Sequence, residues 1–144
     1  MNFLCRMLIA LAIVFIPLSE AKSQDKEAKK LMGDNYDVMQ RILINLIKEH
    51  HDLIVKDIDI IIDHSKKISQ MRINLTPEEH EQFRSFAYLL QTRAQNLKII
   101  SLNIKEKKQE STADVPKMDY LRDVAAAHFG EVVAMCVRCH NQFR

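Results

Sequence analysis

Apolar residues recur at steps of three and four along most of this chain, and this spacing limits the possible folds more than any other feature. Side chains at i, i+3 and i+4 lie on one face of an α-helix. The 144 residues include two glycines and three prolines, which leaves few positions for the tight turns of a many-stranded sheet. We therefore predict an all-α fold.

Four amphipathic helices are predicted, over about residues 25–50, 53–71, 77–108 and 117–143. The third has the clearest start, because Thr76 can cap it, Pro77 suits the first helical position and a following glutamate can complete a capping box. The isoleucine run of residues 58–62 also fits a strand, but the repeat 54–61–68 favours a helix. Short connections between long amphipathic helices predict an antiparallel four-helix bundle.

The predicted inward faces are carried by apolar residues and by one asparagine. On the first two helices they include Ala28, Met32, Asn35, Met39, Ile42, Ile54, Ile58, Ile61 and Ile68. On the last two helices they include Phe83, Phe86, Ala87, Leu90, Ala94, Leu97, Ile104, Leu121, Ala125 and Val132.

The N-terminus has the pattern of an export signal. A segment with one positive charge precedes the apolar run of residues 7–18, and Ser19-Glu20-Ala21 resembles a cleavage site. The run is shorter than the roughly 20 apolar residues of a membrane span. We predict a cleaved signal peptide over residues 1–21, a mature domain over residues 22–144 and no stable membrane insertion after cleavage. Cleavage at Gln24 and an uncleaved anchor are the alternatives.

Charge and cysteine content narrow the function classes. The net charge is +2, and loss of residues 1–21 leaves it unchanged because one positive and one negative charge go together. This weak balance argues against a nucleic-acid-binding protein, which would carry a concentrated basic patch. The mature chain keeps two cysteines, and an exported location permits their oxidation or their capture by a cofactor.

The segment Cys136-Val137-Arg138-Cys139-His140 has the form of a c-type haem attachment site. On a helix its two thiols and its imidazole share one face, so the thiols can meet the haem vinyl groups while the imidazole points at the iron. We predict one covalent haem c per chain, with thioethers at Cys136 and Cys139 and His140 as the proximal iron ligand. A thioredoxin-like redox pair is less favoured, because such a pair belongs near a βαβ pattern, which this sequence lacks. A structural zinc site is also less favoured, because it needs four ligands and the chain has no second cysteine pair.

Residues 129–144, which contain this motif, resemble the C-terminal helix of the cytochrome c′ family, the class II cytochromes c. Leu31-Met32 followed by Tyr36 and Met39 also resembles the first helix of that family. The resemblance implies an antiparallel four-helix bundle, a periplasmic location and often a homodimer. It also implies that Arg144 lies near the proximal side of the haem.

The sixth iron position is expected to be filled from the first or second helix. His64 falls between Ile61 and Ile68 on the predicted buried face, and is the first candidate for bis-histidine coordination. Met32 is the alternative, since a methionine near the start of the first helix is the sixth ligand in low-spin relatives of cytochrome c′. A thioether ligand would raise the reduction potential relative to a second histidine. An open distal site is the third possibility.

The remaining histidines and the aspartates of the second helix are weaker candidates. His128 lies on the same helix as His140 and cannot reach the opposite haem face. The others are expected on solvated surfaces: His50 and His51 at a helix end, His80 in a first turn, and Asp57, Asp59 and Asp63 along one face.

The predicted function follows from the haem and its ligands. We expect a periplasmic electron carrier, not an enzyme, that exchanges single electrons with redox protein partners at an exposed haem edge. The rival is a five-coordinate haem protein that binds nitric oxide or carbon monoxide. A peroxidase is less favoured, because no distal Arg/His pair can be identified.

Overall fold

The computed structural model describes residues 3–71, 73–109 and 115–143, with side chains for residues 24–71, 73–108 and 117–143. Four helices account for nearly all of this part of the chain, which contains no strand: α1 (Phe3–Ile47), α2 (His51–Gln70), α3 (Pro77–Gln109) and α4 (Val115–Gln142). Successive helices pack closely against each other, whereas α1 and α4 make only sparse contact. The protein is an all-α, antiparallel four-helix bundle, as predicted.

The first helix differs most from its predicted bounds. It begins at Phe3 rather than near Asp25, and it ends at Ile47 rather than His50. Residues 1 and 2 and the side chains of residues 3–23 lie outside the described part, so the predicted signal peptide over residues 1–21 stays a prediction. Among the described residues, no helix combines the length and the apolar character that crossing a membrane requires.

The turn between α1 and α2 is held by ion pairs from the opposite helices. Glu49 has a φ of 57°, in the left-handed region that usually takes glycine or asparagine after a helix. Its carboxylate accepts hydrogen bonds from Lys108 Nζ at 2.6 Å and Arg122 Nη2 at 3.1 Å. The hydrogen bond from Lys108 is the largest of the effects that lower the pKa of Glu49. These contacts connect the turn to α3 and α4.

The start of α3 confirms the predicted capping box. The backbone N–H of Glu79 donates to Thr76 Oγ1 at 3.3 Å, and the backbone N–H of Thr76 donates to Glu79 Oε2 at 2.8 Å. The hydrogen bond from the Thr76 backbone N–H, and after it the interaction of the carboxylate with the Thr76 hydroxyl, lower the pKa of Glu79. Two of the N–H groups that have no partner inside a helix are therefore satisfied by local side chains.

The core consists of two apolar clusters that follow the predicted inward faces. The larger joins all four helices and includes Ile42, Ile54, Ile58, Ile61, Leu97 and Val132. The smaller contains Ala28, Leu31, Ile68, Met71, Phe83 and Ala87, with Cys139 and Phe143 packed against it. Each fully buried isoleucine or leucine contributes about 1.5–3 kcal/mol, so these clusters provide the main driving force for bundle formation.

Two of the three α2 aspartates form ion pairs between helices, which corrects the expected solvated face. Asp57 is buried and accepts from Arg41 Nη2 of α1 at 2.8 Å. Asp59 accepts from Lys98 Nζ of α3 at 2.6 Å. The described residues contain no group of three or more histidine, cysteine or acidic side chains able to hold a metal ion. Asp57 and Asp59 thus connect α2 to α1 and to α3 through ion pairs.

Candidate haem cavity

A cavity of about 610 Å³, partly open to solvent, lies among all four helices and adjoins both core clusters. Its volume is within the roughly 300–1,000 Å³ of pockets that bury organic ligands and cofactors. Most of its lining is apolar, and includes Met32, Met39, Ile68, Phe83, Phe86, Ala87, Leu90, Met135 and Phe143. The cavity lies between α1 and α4, which make only sparse contact with each other.

The α4 wall of the cavity carries the three predicted attachment residues together. Cys136, Cys139 and His140 all line it, and helical spacing brings them onto one face. Both thiols are free and half-buried, while His140 is largely exposed. Burial raises the pKa of each thiol to about 11, with the neighbouring Cys139 adding to the shift at Cys136. This wall supplies the thiol pair and the imidazole that c-type attachment requires.

Two aromatic contacts fix the C-terminal end of this wall. The ring of Phe143 meets those of Phe83 and Phe86 edge-on, with centroid separations of 5.2 Å and 6.0 Å. Such edge-to-face pairs favour one arrangement of the rings and add to the burial energy. They anchor the last turn of α4, and with it Cys139 and His140, against α3. Arg144 lies outside the described residues, so its predicted place near the haem stays a prediction.

The α1 wall carries one of the two proposed sixth ligands. Met32 lines the cavity and is half-buried, and Met39 lies two turns further along the same helix. Between them, Asn35 also lines the cavity and is 3 % exposed. Asn35 is the one polar residue in an otherwise apolar stripe, and this pattern in the sequence indicates a buried polar side chain.

His64, the other proposed sixth ligand, does not line the cavity. Ser65 and Ile68 are the α2 residues that do, and His64 precedes Ser65 by one position, about 100° around the helix. The ring instead lies beside α1, where its Nδ1–H donates to Asn35 Oδ1 at 2.8 Å. Burial lowers the pKa of His64. Of the two proposed ligands, Met32 is therefore the one that borders the cavity.

The expectation that His51 belongs to a solvated helix end is wrong. Its side chain is 4 % exposed, and neither ring nitrogen has a hydrogen-bond partner among the described residues. Because α2 begins at His51, this residue falls on the same helix face as the buried Ile54 and Ile58. Burial is the largest of the effects that lower the pKa of His51. The sequence pattern missed this position because it started the helix two residues later.

Two further histidines have structural partners outside the cavity. His80 is half-buried rather than exposed, and its Nε2–H donates to the carbonyl oxygen of Ile73 at 3.2 Å. His128 Nδ1 lies 3.0 Å from Glu131 Oε2, the oxygen that also accepts from Arg93 of α3 at 3.2 Å. The contact of His80 fixes the loop before α3, and the ion pair between Arg93 and Glu131 connects α3 to α4.

Comparison with known protein families, with curated protein sequences and with solved structures found no match for this chain. The functional proposal therefore depends on the residues around the cavity and on their geometry.

Proposed function

We propose that this chain is an exported, mono-haem c-type cytochrome of the cytochrome c′ type that transfers single electrons between redox partners. The supporting observation is that Cys136, Cys139 and His140 line one wall of a single apolar cavity. Two thiols and an imidazole at this spacing match the donors of c-type attachment. The surrounding apolar side chains suit the faces of a porphyrin.

Each attachment residue has a separate role in this proposal. Cys136 and Cys139 form the thioethers, which hold the cofactor permanently, and His140 is the proximal iron ligand. When bound, the haem supplies one-electron chemistry. The apolar lining would shield the faces of the haem and leave an edge accessible beside Tyr36 and Val137, which are 59 % and 52 % exposed. Electron exchange at this edge makes or breaks no bond in a substrate, so the protein is proposed as a carrier and not an enzyme.

Met32 is the sixth ligand in this proposal, ahead of His64. The support is its place in the cavity lining, from which His64 is absent. A thioether at this position would raise the reduction potential relative to bis-histidine ligation. Two protein ligands also limit rearrangement between oxidation states, which suits electron transfer.

The spectrum of the ferrous protein before and after addition of carbon monoxide tests this function. We expect a six-coordinate, low-spin spectrum that carbon monoxide does not immediately change. Met32→Ala should give a five-coordinate form that binds carbon monoxide, whereas His64→Ala should stay low-spin. A change of spin state in His64→Ala alone would show that the Met32 assignment is wrong.

The second proposed function is capture of nitric oxide or carbon monoxide at an open iron face. It is favoured by the opening of the cavity to solvent on one side and by the absence of a second imidazole among the described lining residues. An immediate spectral shift of the unmodified ferrous protein on adding carbon monoxide would establish this function over electron transfer.

Export and assembly complete the proposal. Cleavage of residues 1–21 would deliver the protein to the periplasm, where the haem is attached. An exposed apolar stripe on α1, formed by Leu43, Ile44 and Ile47, supports a homodimer. Redox proteins are the proposed transient partners at the haem edge.

A further inference from the structure

Asn35 places a buried amide in the α1 wall of the cavity. Its Oδ1 accepts a hydrogen bond from His64, while its Nδ2 has no hydrogen-bond partner among the described residues. Asn35 Nδ2 is not among the fully buried polar atoms that lack a partner, so it keeps contact with open space although the residue is 3 % exposed. Because Asn35 lines the cavity, its free N–H bonds are available to a ligand there.

His64 determines which way the amide points. An amide oxygen can only accept, so the 2.8 Å contact requires a proton on His64 Nδ1 and assigns Oδ1 to the α2 side. The NH₂ group is the other branch of the same planar amide, and Asn35 borders the cavity. His64 is thus a positioning residue that presents the donor branch of Asn35 to the cavity.

Ser65, a nearby polar residue of the lining, is already occupied. The hydroxyl of Ser65 donates to the carbonyl oxygen of Ile62 at 2.9 Å, within α2. The Ser65 hydroxyl already donates its hydrogen bond, whereas the N–H bonds of Asn35 Nδ2 have no acceptor among the described residues. The two positions form a natural pair for comparison.

We propose that Asn35 Nδ2 donates a hydrogen bond to a small ligand at the haem face towards α1, so that this face favours anionic or strongly dipolar ligands over carbon monoxide. This inference rests on the proposed haem. Distal hydrogen-bond donors are a principal means by which haem proteins select ligands. Cyanide gains from such a donor because it carries negative charge, whereas carbon monoxide carries little.

The test uses the Met32→Ala protein, in which the proposed sixth ligand no longer competes. Dissociation constants for cyanide with the ferric form and for carbon monoxide with the ferrous form are measured in this parent and after adding Asn35→Leu, His64→Leu or Ser65→Ala. Asn35→Leu should weaken cyanide binding about tenfold, as expected for loss of a hydrogen bond to a charged group. Carbon monoxide binding should change less than about twofold.

The other two variants separate positioning from general disturbance. His64→Leu should weaken cyanide binding less than Asn35→Leu does, because the amide stays but is no longer held. Ser65→Ala should leave both ligands unaffected, because its hydroxyl is already bonded to Ile62.

The possible failures are distinguishable. A parent protein without covalent haem would overturn the proposed function and this inference with it. With haem attached, equal losses for both ligands in Asn35→Leu, no loss, or no cyanide binding by the parent would overturn the inference alone.

Discussion

The imidazole of His51 lies on the buried face of α2, yet neither of its nitrogens is hydrogen-bonded among the described residues. The charged groups that act on it are Lys108, Glu49, Arg122 and Asp52. Burial and the two cations lower its pKa, and the two carboxylates oppose them. The folded protein thus holds His51 neutral at a pH where an unfolded chain begins to protonate it.

Because of His51, we predict that the stability of the bundle decreases in acid. The folded-state pKa of His51 lies below its ordinary value of about 6.5, so the stability is fully present above that pH and falls as the pH drops through it. The slope contributed by one such group approaches about 1.4 kcal/mol per pH unit. His51→Leu should remove this contribution from urea unfolding curves measured between pH 7 and pH 5.

His50→Gln is the matched control, because His50 is the exposed neighbour at the same turn. It should keep the pH dependence of the unmodified protein. An unchanged slope in His51→Leu would contradict the assignment of the acid sensitivity to His51.

At the scale of elements, α1 contributes three different surfaces. Ile42 packs in the core, Met32 and Asn35 border the cavity, and an apolar stripe faces outward. On this stripe Leu43, Ile44 and Ile47 follow each other at helical spacing, and Ile47 is 75 % exposed. Contiguous exposed apolar surface of this kind marks an interaction site, which is the physical basis for the proposed dimer.

The proposed dimer predicts a specific effect of charge on α1. Ile44→Lys combined with Ile47→Lys should convert a dimer into a monomer in sedimentation equilibrium, because each protomer would bring two desolvated ammonium groups to the interface. Ile99→Lys alters an exposed isoleucine on α3 and should leave the dimer intact. A monomeric unmodified protein at micromolar concentration would contradict the proposed dimer.

Sequence periodicity predicted the helices and their inward faces because burial against neighbours repeats with the helical period. It also predicted the capping box at Thr76, which depends on residues three apart. It missed the end of α1, since Glu49 adopts its left-handed conformation in contact with Lys108 and Arg122 from distant helices. It also did not predict that His64 lies outside the cavity lining, because a small rotation of α2 decides whether a side chain at the edge of a stripe reaches the cavity.

The described part of the molecule is a bundle in which α1 and α4 make only sparse contact and border a cavity. Three neighbouring pairs of helices close the core, and the remaining pair borders a cavity that carries thiols and an imidazole on α4 and a thioether on α1. Covalent attachment at α4 would hold a haem in this space and bring the four walls together around it.

Haem staining of the denatured protein on a gel, after expression with its N-terminal segment in a host that attaches haem c, measures attachment most directly. The unmodified chain should carry a stained band. The double variant Cys136→Ser, Cys139→Ser should lose the stain, and Cys5→Ser should keep it because Cys5 lies in the predicted signal peptide. An unstained band for the unmodified chain, or a stained band for the double variant, would contradict covalent haem attachment at Cys136 and Cys139.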